Sequence, residues 1–137
     1  LYRNVLKLAE TSKINNDQYL ADLSWVKHNF AQVYAGVEAL KLICWKQTWI
    51  MESGQLNMAE ASVAKVYGSE FFIEAYRLLM EVTGELSLLK NDSELSILNA
   101  RLERMYRTAS ILTFGGGTNE VQRDIIAMAG LLMPRTR

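Results

Sequence analysis

The sequence predicts an all-α protein, an up-and-down four-helix bundle with an additional short C-terminal helix. Proline breaks helices, and the only one among the 137 residues is Pro134, close to the end. β-Branched residues rarely alternate with polar ones, which argues against strands. Apolar residues instead recur every 3 or 4 positions, the spacing of packed helices. This seam consists of Leu23, Val26, Phe30, Val33, Val37, Leu40 and Cys44.

The bounds of the helices follow from apolar periodicity and from capping residues. Asn57 followed by Glu60 is the pattern of a helix start. Gly54 and Gly84 are typical of the residue that directly follows a helix end. The first helix is interpreted as the end of one that begins upstream, and the polar residues 11–16 as a loop. The predicted helices cover residues 1–10, 17–53, 58–83, 94–113 and 119 to about 131. The predicted inner face of the fifth consists of Val121, Ile125, Met128 and Leu132.

Composition and charge exclude several classes of function. Fifteen basic residues balance fifteen acidic ones, so the chain lacks the basic surplus of a nucleic-acid-binding protein. No apolar run reaches the roughly 20 residues of a membrane span. The lone Cys44 excludes an internal disulfide and favours a cytoplasmic location, and His28 has no second ligand nearby, so no metal site is predicted. The chain does not begin with methionine, and we expect it to be part of a longer protein.

The main functional signal is the run of three glycines, Gly115, Gly116 and Gly117, between two predicted helices. Consecutive glycines mark a place where the backbone turns sharply or lies against another molecule. Thr118 and Asn119 are good N-cap residues, and a helix start offers unpaired N–H groups that suit a phosphate. A plain turn between helices explains the same spacing, so the spacing alone leaves both interpretations open.

The identity of the residues is more specific than their spacing. Gly-Gly-Thr-Asn-Glu-Val-Gln-Arg at 116–123, followed by Ile-Ile-Ala, resembles the C-terminal signature of the acyl-CoA dehydrogenase family. Residues 61–70 and 37–42 are similar to two earlier helices of the same family. The resemblance covers residues 1–137 as the C-terminal helical domain alone, without the two domains that precede it in a full-length member.

The resemblance implies FAD as cofactor and α,β-dehydrogenation of acyl-CoA esters, as in fatty acid or steroid side-chain β-oxidation. In this family a glutamate takes the α proton while the β hydrogen leaves as hydride to the flavin. Many members carry that glutamate directly before the Gly-Thr of the loop, where this chain has Gly116. We therefore assign no catalytic residue here and expect the isolated chain to be inactive. Glu120 lies four residues later, inside the next helix, and is the weaker candidate for a base.

The resemblance also implies two sets of flavin contacts. One consists of Gly117, Thr118 and Glu120 in and after the glycine loop. The other contains Glu81 and Gly84, in a segment that usually reads Gln-x-x-Gly-Gly and touches the FAD bound across the dimer. Here Glu81 replaces the glutamine and a second glutamate replaces the last glycine. Two carboxylates beside a pyrophosphate repel it, so this half of the predicted contact departs from the family pattern.

Three hypotheses follow from the sequence. The first is the domain of a catalytic dehydrogenase that assembles into homo- or hetero-oligomers through its helices. The second is a non-catalytic subunit that acts only as an assembly partner in a heteromer. The third is an unrelated bundle in which the glycines form a mere turn. An apolar surplus of the kind found at interfaces supports assembly, and it consists of Trp45, Trp49, Phe71 and Phe72.

Overall fold

The computed structural model describes residues 1–54, 57–90, 93 and 97–135, and within them the chain is predominantly helical. The α-helices are α1 (Tyr2–Thr11), α2 (Ser24–Glu52), α3 (Met58–Thr83), α4 (Arg101–Ala109) and α5 (Asn119–Ile125). Short 3-10 turns cover Leu20–Asp22, Gly84–Leu88, Ile97–Ala100 and Ser110–Thr113, and α5 continues as a π-helical turn over Ile126–Gly130. The predicted all-α class is confirmed. Within the described ranges, no helix combines the length and apolar character that crossing a membrane requires.

The long second helix begins seven residues later than predicted. A small antiparallel hairpin, β1 (Lys13–Asn15) with β2 (Gln18–Tyr19), occupies the segment instead. The Asn15 side chain accepts a hydrogen bond from the backbone of Asp17 at 3.1 Å, which stabilises the hairpin turn. The Asp22 carboxylate then accepts one from the backbone N–H of Tyr19 at 2.9 Å. These local bonds use the residues that were expected to start the helix.

The bounds of α3 agree with the prediction at both ends. The side chain of Asn57 accepts a hydrogen bond from the backbone of Ala59 at 2.9 Å, as an N-cap does. Gly84 follows the last helical residue with φ +62° and ψ −149°, a conformation open to glycine. The fourth helix is shorter than predicted, because its regular part is flanked by 3-10 turns. Residues 94–96, the predicted start of this helix, lie outside the described residues.

The helix α3 is central, because α1, α2, α4 and α5 all pack against it. Its first half is buried through small residues such as Ala59, Ser62 and Ser69, which allow close approach. Its second half buries larger side chains. Together with Val5 and Ala9 of α1, Val26, Phe30 and Val33 of α2 and Leu102 of α4, they form the apolar core; the α3 members are Ala75, Leu78, Leu79 and Val82.

The seam of α2 is buried only in its first half. Val26, Phe30 and Val33 are buried, whereas Cys44 at the other end is exposed. On the other side of the helix, away from this seam, Leu42, Trp45 and Trp49 are 61%, 68% and 69% exposed. We call these three residues the α2 patch. The predicted exposure of the two tryptophans is thus observed, while Phe71 is half-buried against α2.

The predicted inner face of α5 is wrong. Val121 and Leu132 are 51% and 85% exposed, Met128 is exposed as well, and Ile125 is half-buried. The residue of α5 that is buried is Asn119, at 4% exposure. A polar contact therefore sets the orientation of the helix, and the π-helical turn after Ile125 breaks the 3.6-residue period on which the prediction relied.

The contact between α2 and α3 generates a stability prediction. A Cβ at Gly36 would overlap the Phe71 ring, whereas a Cβ at Gly68 would lie 3.5 Å from Leu40, an ordinary contact. We expect Gly36→Ala to destabilise the chain by about 1–3 kcal/mol through overpacking. Gly68→Ala is the matched control and should be neutral or stabilising by up to about 1 kcal/mol, because alanine favours helix. Urea unfolding of both variants measures the difference, and equal stabilities would contradict the packing described here.

Candidate functional site

The glycine loop joins the 3-10 turn Ser110–Thr113 to α5 and has a fixed backbone path. The N–H of Gly115 donates to the carbonyl of Ile111 at 2.8 Å, and that of Gly117 donates to Phe114 at 3.2 Å. Gly116 and Gly117 have φ of +74° and +100°, values that side-chain-bearing residues rarely adopt. All three glycines are exposed, and nothing lies within 4 Å of the place where a Cβ of Gly116 would be. The loop therefore presents open backbone at Gly116, whereas a Cβ at Gly117 would meet Nε2 of Gln122 at 2.9 Å.

The side chain of Lys65, on α3, donates hydrogen bonds to this loop and to the residues at its two ends. Its ammonium donates to the carbonyl of Thr113 at 3.1 Å, to the carbonyl of Gly117 at 2.6 Å and to Oδ1 of Asn119 at 2.6 Å. A lysine ammonium has three N–H donors, and here each of them has one acceptor. The acceptors lie before, within and after the glycine loop.

Asn119 connects the start of α5 to α3 through a buried amide. Its Nδ2 donates to Oγ of Ser69 at 3.0 Å and to Oε1 of Glu70 at 3.1 Å, while its Oδ1 accepts from Lys65. Arg123 of α5 adds an ion pair with the same Glu70 oxygen at 2.6 Å. A buried amide is costly unless its polar atoms are paired, and here both ends of the amide are.

The start of α5 is capped largely by its own side chains. Oγ1 of Thr118 accepts a hydrogen bond from the backbone of Val121 at 3.3 Å. The pKa of the exposed Glu120 carboxyl is lowered, first by a hydrogen bond from its own backbone N–H and next by one from Thr118. These contacts take up N–H groups that were expected to be free for a ligand. A lowered pKa also makes Glu120 a poorer proton acceptor, which supports its interpretation as something other than a base.

The second predicted set of contacts lies at the other end of α3. Glu81 accepts a hydrogen bond from Nδ2 of Asn29 at 3.0 Å and is paired with Arg77. Arg77 also donates from Nε to Glu74 at 2.8 Å. Glu81 therefore lies in an intramolecular network and has no N–H to offer where the family has a glutamine. A shallow pocket of about 330 Å³ is lined by Arg77, Met80, Glu81, Gly84, Glu85, Ser87, Leu88 and Tyr106.

The structure does not bring the two predicted sets together. Sixteen residues of α3 separate Lys65, under the glycine loop, from Glu81, which corresponds to about 24 Å at 1.5 Å per residue. This separation agrees with the expectation that the segment of Glu81 and Gly84 contacts the FAD bound across the dimer, which stays a prediction. Gly117, Thr118 and Glu120 thus form one candidate site, and Glu81 and Gly84 form another.

The sequence model described as "Acyl-CoA dehydrogenase, C-terminal domain" matches residues 1–131. The chain belongs to the acyl-CoA dehydrogenase family. It is 48% identical to acyl-CoA dehydrogenase FadE26 of Mycobacterium tuberculosis over 137 residues, which are 97% of this chain and 34% of the relative. The resemblance in the sequence is thereby confirmed at the level of the family and its C-terminal domain.

Two solved structures show the same fold. The ChsE4-ChsE5 complex from Mycobacterium tuberculosis superposes with a TM-score of 0.91 at 47% identity, over 98% of this chain and 35% of that chain. The Tcur3481-Tcur3483 steroid ACAD superposes at 0.88 with 34% identity, over 98% and 34%. The chain thus spans about a third of the length of these relatives.

Sequence reasoning missed the residues that hold the loop in place. Lys65 appeared only as part of a family motif, and Asn119 only as a possible N-cap. Their partners lie about 50 residues away along the chain, so no local pattern connects them. One signal was available: Lys65 lies among small residues in the first half of α3, and small residues favour close packing of helices.

The capping of α5 predicts a measurable titration. Thr118→Ala should raise the pKa of Glu120, because it removes one of the two hydrogen bonds that lower it. Arg123→Gln removes a smaller Coulombic contribution and should raise this pKa less. Carboxyl ¹³C NMR titration of the three proteins gives the comparison. A Glu120 pKa that is the same in Thr118→Ala as in the parent chain would show that the cap is not formed as described.

Proposed function

We propose that residues 1–137 are the C-terminal domain of a flavin-dependent acyl-CoA dehydrogenase, and that the glycine loop contributes to its FAD and acyl-CoA site. The observation that carries this proposal is the loop itself. It is exposed, its backbone is open at Gly116, and its positive φ values require glycine. A plain turn needs neither an open face nor three glycines in a row. When bound, FAD supplies the acceptor for the hydride from the acyl chain.

The loop side fits a flavin and an acyl thioester. Gly117 and Thr118 are exposed, the open backbone of Gly116 directly precedes them, and Glu120 stands beside them as an exposed carboxylate. Gly116 has no side chain that could take a proton. The base is therefore proposed to lie outside this chain, on an earlier part of the protein or on a second subunit. The isolated chain is proposed to be inactive.

The Glu81 side does not fit a flavin pyrophosphate. Its carboxylate is bonded to Asn29 and Arg77, and Glu85 next to Gly84 adds another exposed negative charge. Negative groups at this place repel a phosphate. We therefore propose that Glu81 does not contact the pyrophosphate of the FAD bound across the dimer. A contact of Gly84 with that FAD stays a prediction.

The class of substrate is proposed from the relatives. One solved relative is described as a steroid ACAD, and we infer that the acyl-CoA ester is a fatty acyl or steroid side-chain thioester. The balanced charge and lone cysteine are compatible with a cytoplasmic enzyme. The assay is reduction of an artificial electron acceptor by the longer protein with straight-chain and steroid side-chain CoA esters. The proposal fails if neither class supports turnover in a preparation that contains all subunits.

A variant of the loop tests its role with FAD. In the longer protein, Gly117→Val should lower the flavin content per folded molecule, since the added Cβ would meet Nε2 of Gln122 at 2.9 Å and so displace the loop that is proposed to contact the cofactor. Gly54→Val is the matched control, because Gly54 also has a positive φ, of +74°, but lies in the turn after α2. Both variants place valine at a positive φ, but only at Gly117 would the added Cβ also meet a side chain of the same protein. Absorbance of bound flavin and circular dichroism separate cofactor loss from unfolding.

The two interpretations of the loop give opposite results. If the loop is only a turn, both variants lower the melting temperature, Gly117→Val by at least as much as Gly54→Val, and both leave the flavin content of the folded protein equal to that of the parent. An unchanged flavin content in folded Gly117→Val protein rules out the cofactor role.

The second candidate function is that of a non-catalytic subunit in a heteromeric dehydrogenase. Two observations favour it: Gly116 stands at the usual place of the base, and Glu81 is committed to Arg77 and Asn29. In both candidates we propose that the helices form a homo- or hetero-oligomer interface through the α2 patch. Its three residues are among the most exposed large apolar side chains of the described chain, as is typical of interfaces.

The α2 patch predicts the effect of tryptophan substitution on assembly. The double variant Trp45→Ser, Trp49→Ser should shift the longer protein toward smaller species at a given concentration, because two large apolar contacts are lost. Trp25→Ser is the control, since Trp25 is an exposed tryptophan at the opposite end of the same helix, at 46% exposure. Light scattering over a concentration series measures the shift. Equal masses for the double variant and the parent protein would contradict an interface at the patch.

A further inference from the structure

Lys65 is placed to control the shape of the glycine loop from a different helix. Its side chain leaves α3 and reaches three oxygens that bracket the loop, on Thr113, Gly117 and Asn119. The first lies at the end of the preceding 3-10 turn and the last at the start of α5. One ammonium group thus joins the two ends of the segment 114–118.

Asn119, one of the three acceptors of Lys65, is held in place by further hydrogen bonds. Asn119 is 4% exposed, and its amide nitrogen is bonded to Ser69 and Glu70, one turn further along α3 than Lys65. The amide oxygen that accepts from Lys65 therefore cannot rotate away without breaking two other bonds. The carbonyls of Thr113 and Gly117, by contrast, belong to half-buried and exposed residues, and within the described residues they have Lys65 as their side-chain donor.

We propose that Lys65 is a positioning residue of the glycine loop, holding the carbonyl of Gly117 inward so that the open side of Gly116 faces outward toward the cofactor and thioester. Lys65 does not itself touch the ligand. This inference deepens the proposed function and rests on it for the ligand, but the link between Lys65 and the loop rests on the contacts alone.

The chemistry of the site requires lysine rather than a general polar residue. Three acceptors around one point match the three N–H donors of a compact ammonium, whereas the guanidinium of arginine is a planar fork with a different geometry. Charge-assisted bonds of this kind are stronger than neutral ones. Lys65→Met keeps most of the aliphatic stem and removes all three donors, so it isolates the contribution of the ammonium.

The test uses the longer protein and compares Lys65→Met with Lys46→Met. Lys46 also connects a neighbouring helix to α3, through Glu60 at 2.8 Å, but lies away from the loop. Hydrogen–deuterium exchange should be roughly tenfold or more faster in a peptide spanning 113–118 in Lys65→Met, because charged hydrogen bonds to the loop are lost. Exchange in α3 should be unchanged, and Lys46→Met should leave the loop unaffected. The flavin dissociation constant should rise by roughly tenfold in Lys65→Met alone.

Three results would overturn the proposal, two of which concern the exchange rates. One is loop exchange in Lys65→Met equal to that in the parent protein. The other is exchange that rises as much throughout α5 as in the loop, with flavin affinity unchanged, which would make Lys65 a packing residue only. If the parent protein binds no FAD, the proposed function fails instead, and the exchange comparison still decides whether Lys65 holds the loop. If the parent binds FAD and only the loop loosens, the positioning role fails and the proposed function stands.

Discussion

The buried amide of Asn119 fixes where the fifth helix and the glycine loop lie. An amide taken out of water without partners costs about 1–3 kcal/mol for each unpaired group. Asn119 finds its partners at one place on α3, where Ser69, Glu70 and Lys65 meet it. Apolar burial cannot set this position, since Val121 and Met128 of α5 are exposed. A polar contact therefore decides the register of a helix in a domain whose other helices pack through apolar cores.

The central helix α3 serves two regions with different chemistry. Its first half is narrow, with Ala59 and Ser62 buried, and this brings α5 close enough for the side chain of Lys65 to reach the loop. Gly130, in the π-helical turn, lies so near that a Cβ there would be 3.0 Å from Ala59. Its second half carries the apolar core and ends at Glu81 and Gly84. Because one helix connects both regions, a substitution can be made in one region while the other region serves as a control for correct folding.

The sequence predicted the elements whose signals are local and missed those that depend on distant partners. The bounds of α3 were predictable because Asn57 and Gly84 act on adjacent backbone. The start of α2 was not, because the hairpin turn at Asn15 competed successfully for the same residues. The glycine loop was found from its own residues and from the family resemblance. Its support by Lys65 depends on contacts across about 50 residues, which only the folded chain brings together.

The second half of α2 exposes large apolar side chains. The seam of α2 is buried as far as Val33 and half-buried at Val37 and Leu40, whereas Leu42, Trp45 and Trp49, on the other side of the helix, are more than 60% exposed. Exposing three such side chains is unfavourable at about 25 cal/mol per Å² of apolar surface. The relatives are about three times as long as this chain. The exposed apolar area of the α2 patch therefore supports the interface proposed above.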